Sequence, residues 1–210
     1  MVDYGSTRDD WYDNVGDEVE PDVEKVASIL EDEKKRSVLD VGCGAGRHML
    51  YLAKQGFCVG GFDQSESAVE QVRESMQSLG LSANVVEHDM AERFQYEDES
   101  CDAVLAVRSI HHARMEMIHH AVSEMYRVLD TSGLLYTQVP TYEKLEKLQE
   151  DEEFNMVEPG TSIPLQGSEE GIPHHNFKRD EVKDVFGDFI IKRLYKQGDH
   201  YCLLARKFSM

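Results

Sequence analysis

The sequence predicts an α/β fold: a three-layer αβα sandwich around a mostly parallel seven-stranded sheet with an antiparallel C-terminal strand. Three observations predict it. Short β-rich runs alternate with helical periodicity from Ser37 to Val139, the pattern of parallel strands joined by right-handed crossovers. The run Cys101–Val107 is almost continuously apolar, as a strand covered on both faces requires. One strand also leads into a loop with glycine at every second position, Gly42, Gly44 and Gly46, and then into a helix. The 210 residues suit a single domain over 1–210 and bury enough core to fold without metal or disulfide.

Each element has its own signal. Residues 1–20 hold Tyr4, Trp11 and Tyr12 among Asp, Glu and Gly, and read as a frayed tail or an N-terminal lid with aromatic anchors. From Pro21 to Glu33, Val23, Val26, Ala27, Ile29 and Leu30 follow helical spacing, with Pro21 suited to the first turn. Ser37–Val41 is the first strand. A helix over Arg47–Lys54 stops at Gly56. Cys58–Phe62 is the second strand, ended by Asp63. Ser65 or Ser67 caps a helix reaching Leu79, Ser67 forming a capping box with Glu70. Asn84–Glu87 is the third strand and Cys101–Val107 the fourth. A long helix covers Met115–Leu129, Thr131-Ser132-Gly133 turns the chain, and Leu134–Val139 is the fifth strand. Residues 141–177 are charged, then rich in Gly and Pro. They read as an insertion or cap, although Glu150 to Glu153 also suits a plain linker. A short helix lies near Arg179–Phe186. Strands Phe189–Tyr195 and His200–Arg206 then form a hairpin, or place the last strand inside the sheet.

The formal net charge of −19 repels a phosphate backbone, so nucleic acid is not an expected partner. No apolar run spans a bilayer, and the polar, acidic stretch Met1–Asp10 does not read as a signal peptide. Cys43, Cys58, Cys101 and Cys202 have no CxxC or paired spacing. They read as reduced thiols of a cytoplasmic protein, used as small core residues. No HxxxH or Cys/His spacing supports a metal, and none is expected. A monomer or a homodimer is equally compatible with the chain.

The glycine loop carries the chemistry. Glycine is needed where the backbone turns sharply or a ligand approaches closely. A dinucleotide loop needs GxGxxG with pyrophosphate at the helix N-terminus. Gly42 and Gly44 fit that pattern, but its last glycine is Arg47 here. Asp40, two residues before Gly42, opposes a pyrophosphate and attracts an amino acid's ammonium group. S-adenosylmethionine has that ammonium and no phosphate. Asp63 stands about 20 residues past the first glycine, where an acid holds ribose hydroxyls. NAD enzymes use the same device, and Asp63 equally suits a helix cap. Asp89 suits the adenine amine with Met90 on the ring, or a cap before Ala91-Glu92.

The runs VLDVGCGAGR, GGFDQS, EHDM, SCDAVLAVRSIHH and EMYRVLDTSG occur in order over residues 37–140, about half the chain. They resemble the class I S-adenosylmethionine-dependent methyltransferases, close to the small-molecule subgroup. The resemblance implies a Rossmann-like fold with S-adenosylmethionine as cofactor. It implies Asp40, Gly42, Cys43, Gly44 and Gly46 around the methionine portion. Asp63 and Gln64 would meet the ribose, Asp89 and Met90 the adenine, and Val107 the cofactor from the fourth strand tip. The family's Lys-Pro-Gly-Gly turn is replaced by Asp130-Thr131-Ser132-Gly133.

Ligands of an open parallel sheet bind outside the strands' carboxyl ends. The acceptor would then meet Arg108, Ser109, His111 and His112 after strand four, and Gly171 to Phe177 in the insertion. Histidine titrates near neutrality and suits a general base. His112, His174 and His175 are the candidate catalytic residues. His111 and His112 also read as packing or cofactor-side groups, His174 and His175 as helix-capping ones, and His119 and His120 as helix residues. The expected reaction is in-line methyl transfer to a small-molecule acceptor. A protein or RNA acceptor, or a non-catalytic cofactor-binding module, are the alternatives. An NAD oxidoreductase is disfavoured by Arg47 and Asp40.

Overall fold

The structure, a computed structural model, describes residues 18–148 and 153–208. Helix α1 (Pro21–Asp32) starts on Pro21 and turns Val23, Val26, Ala27 and Leu30 inward as one stripe. Then follow β1 (Ser37–Val41), α2 (Arg47–Lys54), β2 (Cys58–Asp63), α3 (Glu66–Ser78), β3 (Asn84–Glu87), β4 (Cys101–Val107), α4 (Met115–Val128) and β5 (Leu129–Pro140). The insertion comprises α5 (Tyr142–Leu148), β6 (Phe154–Glu158), β7 (Thr161–Pro164) and β8 (His174–His175). Helix α6 (Arg179–Val185) and strands β9 (Phe189–Gln197) and β10 (His200–Lys207) complete the described chain.

The seven-stranded sheet has the order β3-β2-β1-β4-β5-β10-β9. β1 to β5 are parallel, and β10 runs antiparallel to both β5 and β9. The β9–β10 hairpin therefore also places its second strand inside the sheet, which reconciles the two readings of the tail. The alternation within β4 explains its apolar run. Val104 and Ala106 join the core on the face of α4 and α6, while Ala103, Leu105 and Val107 join the core beneath α1, α2 and α3.

Several expectations are corrected. Ser65, not Ser67, caps α3, its Oγ accepting from the Ala68 N–H at 3.2 Å. β5 begins at Leu129 and keeps its pairing with β4 across an irregularity, with Ser132 left-handed at φ 64°. Cys58 is exposed at the start of β2 and is no core residue, unlike the buried Cys43, Cys101 and Cys202. Residues 154–175 are no linker: β6, β7 and β8 form a three-stranded antiparallel sheet of their own. That sheet docks on the carboxyl edge of the main one. The His175 N–H donates to His111 O at 2.8 Å, and the Phe177 N–H to Pro140 O at 2.9 Å. The proposed lid with Trp11 and Tyr12, and the acidic run up to Glu152, lie outside the described residues. Among the described residues no helix is long and apolar enough to cross a membrane.

Candidate active site

All three loop glycines adopt left-handed backbone, at φ 66°, 53° and 79° for Gly42, Gly44 and Gly46. Close packing enforces glycine as well. A Cβ on Gly42 would lie 2.5 Å from Ser109 Cβ, and one on Gly46 2.7 Å from Val72 Cγ2. The loop is thus pressed between the segment after β4 and helix α3. The Ser109 hydroxyl fastens this contact by donating to Val41 O at 2.6 Å. Asp63 fastens the other side. It accepts the Gly44 N–H at 2.9 Å and the Ser65 N–H at 3.0 Å, one on each carboxylate oxygen. A carboxylate oxygen has two lone pairs, so one carboxylate can in general both shape a loop and receive hydroxyls. Gln64 beside it is half-buried.

Asp40 is 2% exposed on β1, and its Oδ2 has no hydrogen-bond partner among the described residues. Burial pushes its carboxyl up to about 7, against the pull of Arg47 and with the help of Asp63. His48 Nδ1 stands 4.0 Å away, and burial pushes that imidazole down to about 3, so it is neutral. The Cys43 thiol is likewise raised by burial and is inert. Sequence reasoning missed the next layer. Glu20, at the N-cap of α1, accepts from Arg108 Nη2 and from Gln138 Nε2 at 3.1 Å, with Arg47 Nη2 at 3.9 Å. Gln138 also donates to Tyr136 Oη at 2.7 Å, and that hydroxyl faces Asp22 at 3.3 Å. Arg108 holds a left-handed backbone, φ 57°, at the tip of β4, a strained position seen where side chains must be aimed.

On the adenine side, Asp89 Oδ1 accepts from the Ala91 N–H at 2.9 Å and closes a turn rather than a helix. Met90 is half-buried against the core, and Phe62 packs edge-on to His88 and Phe94. Val107 ends β4 and joins the core beneath α1, α2 and α3, on the other face of the sheet from Phe62 and Met90.

The histidines divide sharply. His111, His112 and His174 cluster, with ring centroids 4.0 Å apart for the first pair and 4.8 Å for His112 and His174. Glu169 reaches His112 Nε2 at 3.5 Å and His174 Nε2 at 3.6 Å. His111 is buried, which holds its imidazole well below the usual range and neutral. His175 departs from the expectation of an acceptor contact. It is fully buried, shares a hydrogen with Thr161 Oγ1 at 2.7 Å, lies 3.3 Å from Glu181 and stacks edge-on to Phe177. Its place is that of an anchor for the insertion. His119 and His120 are exposed on α4. The repeated His-His dipeptides were the one sequence signal of this convergence.

The strand order and a glycine loop at the carboxyl ends of β1, β2 and β4 define a Rossmann-like domain with a nucleoside-type cofactor site. Residues 38–133 match the family model of the methyltransferase domain. A methyltransferase of Streptomyces halstedii is 35% identical over 115 residues, 53% of this chain and 40% of that protein. A SAM-dependent methyltransferase of Methanosarcina mazei superposes with a TM-score of 0.77 at 19% identity, over 92% of this chain and 100% of that one. The magnesium protoporphyrin IX methyltransferase of Synechocystis PCC 6803, solved with bound SAH, gives 0.69 at 20% identity, over 97% and 95%. The structural likenesses are likenesses of fold. The chain spans about half the length of the curated relatives it matches.

Proposed function

We propose that this protein transfers the methyl group of S-adenosylmethionine to a small-molecule acceptor. The observation that carries the reading is Asp40, a buried carboxyl beneath a left-handed glycine loop, with one oxygen unpartnered among the described residues. Such a group favours a cation and disfavours phosphate, which selects the ammonium end of S-adenosylmethionine over a dinucleotide. Arg47 and Arg108, gathered at Glu20, supply the opposite charge for the cofactor's carboxylate. Asp63 and Gln64 receive the ribose, Asp89 and Met90 the adenine, and Val107 flanks the cofactor from β4.

The acceptor's nucleophilic atom attacks the methyl carbon in line. The carbon–sulfur bond breaks, its electron pair returns to sulfur, and S-adenosylhomocysteine leaves. His112 and His174, at the carboxyl edge, contact the acceptor and take its proton where it has one. The β6–β8 sheet covers this edge with a small roof, which supports a small acceptor, as does a fold neighbour named for a porphyrin.

Calorimetry should show binding of S-adenosylmethionine and S-adenosylhomocysteine and none of NAD. Tritiated methyl transfer should label a metabolite pool and leave protein and RNA pools unlabelled; label in either macromolecule would replace the acceptor class. His174→Ala should lose turnover and keep cofactor affinity. Asp63→Ala should weaken cofactor binding at least tenfold, since it removes hydroxyl acceptors and releases Gly44 together.

A further inference from the structure

We infer that His111, His112 and His174, with Glu169 as the fourth group, form a binding site for one divalent first-row metal ion such as Zn²⁺. One ring nitrogen from each histidine lies within 4.8 Å of the other two. Two nitrogens on a tetrahedral zinc stand about 3.4 Å apart, at zinc–nitrogen bonds of about 2.0–2.1 Å. Closing the difference draws the rings together by at most about 1.4 Å.

Four features fit a metal better than packing alone. The donor set is three imidazoles and one carboxylate, which suits zinc-like ions and not magnesium or calcium. Glu169 already sits on the Nε2 atoms of both His112 and His174, where a carboxylate balances a cation. Buried His111 Nδ1 has no hydrogen-bond partner among the described residues, an expense that a ligand or ion would remove. The scaffold is fixed as well: the His175 N–H to His111 O bond joins the two segments that carry the histidines.

The cluster lies at the carboxyl ends of the strands, so an acceptor atom that displaced Glu169 would take the fourth position, with His112 and His174 then serving as ligands in place of bases. That acceptor role rests on the methyltransferase reading, whereas metal binding does not. The test uses tag-free full-length protein stripped by chelator and titrated with Co²⁺, then Zn²⁺. One Co²⁺ should bind per chain, with visible ligand-field absorption that Zn²⁺ abolishes. His112→Ala and His174→Ala should each weaken Co²⁺ binding at least tenfold, and Glu169→Gln about tenfold. The exposed-helix variant His119→Ala should bind Co²⁺ as the parent does. Absence of stoichiometric absorption, or equal Co²⁺ affinity in all variants, overturns the site. S-adenosylmethionine binding measured on the same samples keeps the two readings apart. Cofactor binding without Co²⁺ binding removes only the metal, and Co²⁺ binding without cofactor binding leaves it standing.

Discussion

Single side chains decide the chemistry of the glycine loop, and Asp40 is the clearest case. Its carboxyl is raised from 3.8 to about 7, first by burial and then by Asp63. In the ligand-free fold, the stability linked to this group is present below 3.8 and lost as pH rises through about 7. An ammonium placed beside it lowers the pKa again, so binding expels a proton at acidic pH. S-adenosylmethionine affinity should therefore climb as pH rises toward about 8 and level off above it. Calorimetry in buffers of different ionisation enthalpy reads both the affinity and the proton release. Asp40→Asn should bind more weakly and show no such climb; a flat profile in the parent protein would detach Asp40 from the ammonium. Gly42 makes a complementary case. Gly42→Ala meets Ser109 Cβ at 2.5 Å and a left-handed backbone together. Urea unfolding should show a loss of at least ~2 kcal/mol, and cofactor affinity should fall with it.

At the scale of elements, one ion pair fastens the long β3–β4 connection to α4. Glu124 accepts the Phe94 N–H at 2.8 Å and is clasped by Arg127 Nη2 at 2.6 Å and Nε at 2.9 Å. Arg127 also donates to Phe94 O, Tyr96 O and Asp98. Removing the guanidinium leaves a buried carboxylate and two carbonyls short of partners, so Arg127→Ala should cost about 2–4 kcal/mol in urea unfolding. The Arg127 hydrogen bonds hold the Glu124 carboxyl below its ordinary 4.5. A lowered acid contributes stability above 4.5 that is lost as pH falls through its folded value. The parent should thus lose stability more steeply than Arg127→Ala on acidification below that point. The same comparison shows what the sequence could and could not tell. Strands β1, β2 and β4 and helices α2, α3 and α4 were legible because their apolar spacing repeats locally. The Glu124–Arg127 pair looked like an ordinary helix-surface i,i+3 pair, because its backbone partners lie some thirty residues away.

On the scale of the whole molecule, the chain is a legible parallel core with an illegible addition. The glycine loop and Asp63 could be read because contacts within a strand–loop–helix unit are nearly local. The β6–β8 sheet could not. Its strands are short, partly exposed and paired only with one another, so no apolar alternation marks them. The histidine cluster depends on that sheet docking, which is why His-His dipeptides far apart in sequence gave no spacing signal for a metal. Docking rests on a few hydrogen bonds, His175 N–H to His111 O, Phe177 N–H to Pro140 O and Met115 N–H to Glu158 Oε1, and on the buried His175 ring. The main sheet, by contrast, buries both faces in two apolar cores. Two cooperative units of unequal stability follow from that difference. Native-state hydrogen exchange should find the amides of residues 154–177 opening well before those of β1, β4 and β5. His175→Ala should widen the gap, because it removes the ring held between Thr161 and Phe177. Its S-adenosylmethionine affinity should then stay near the parent's while turnover falls, the signature of a roof that positions the acceptor and not the cofactor. Protection lost equally in both regions would instead make insertion and core a single unit.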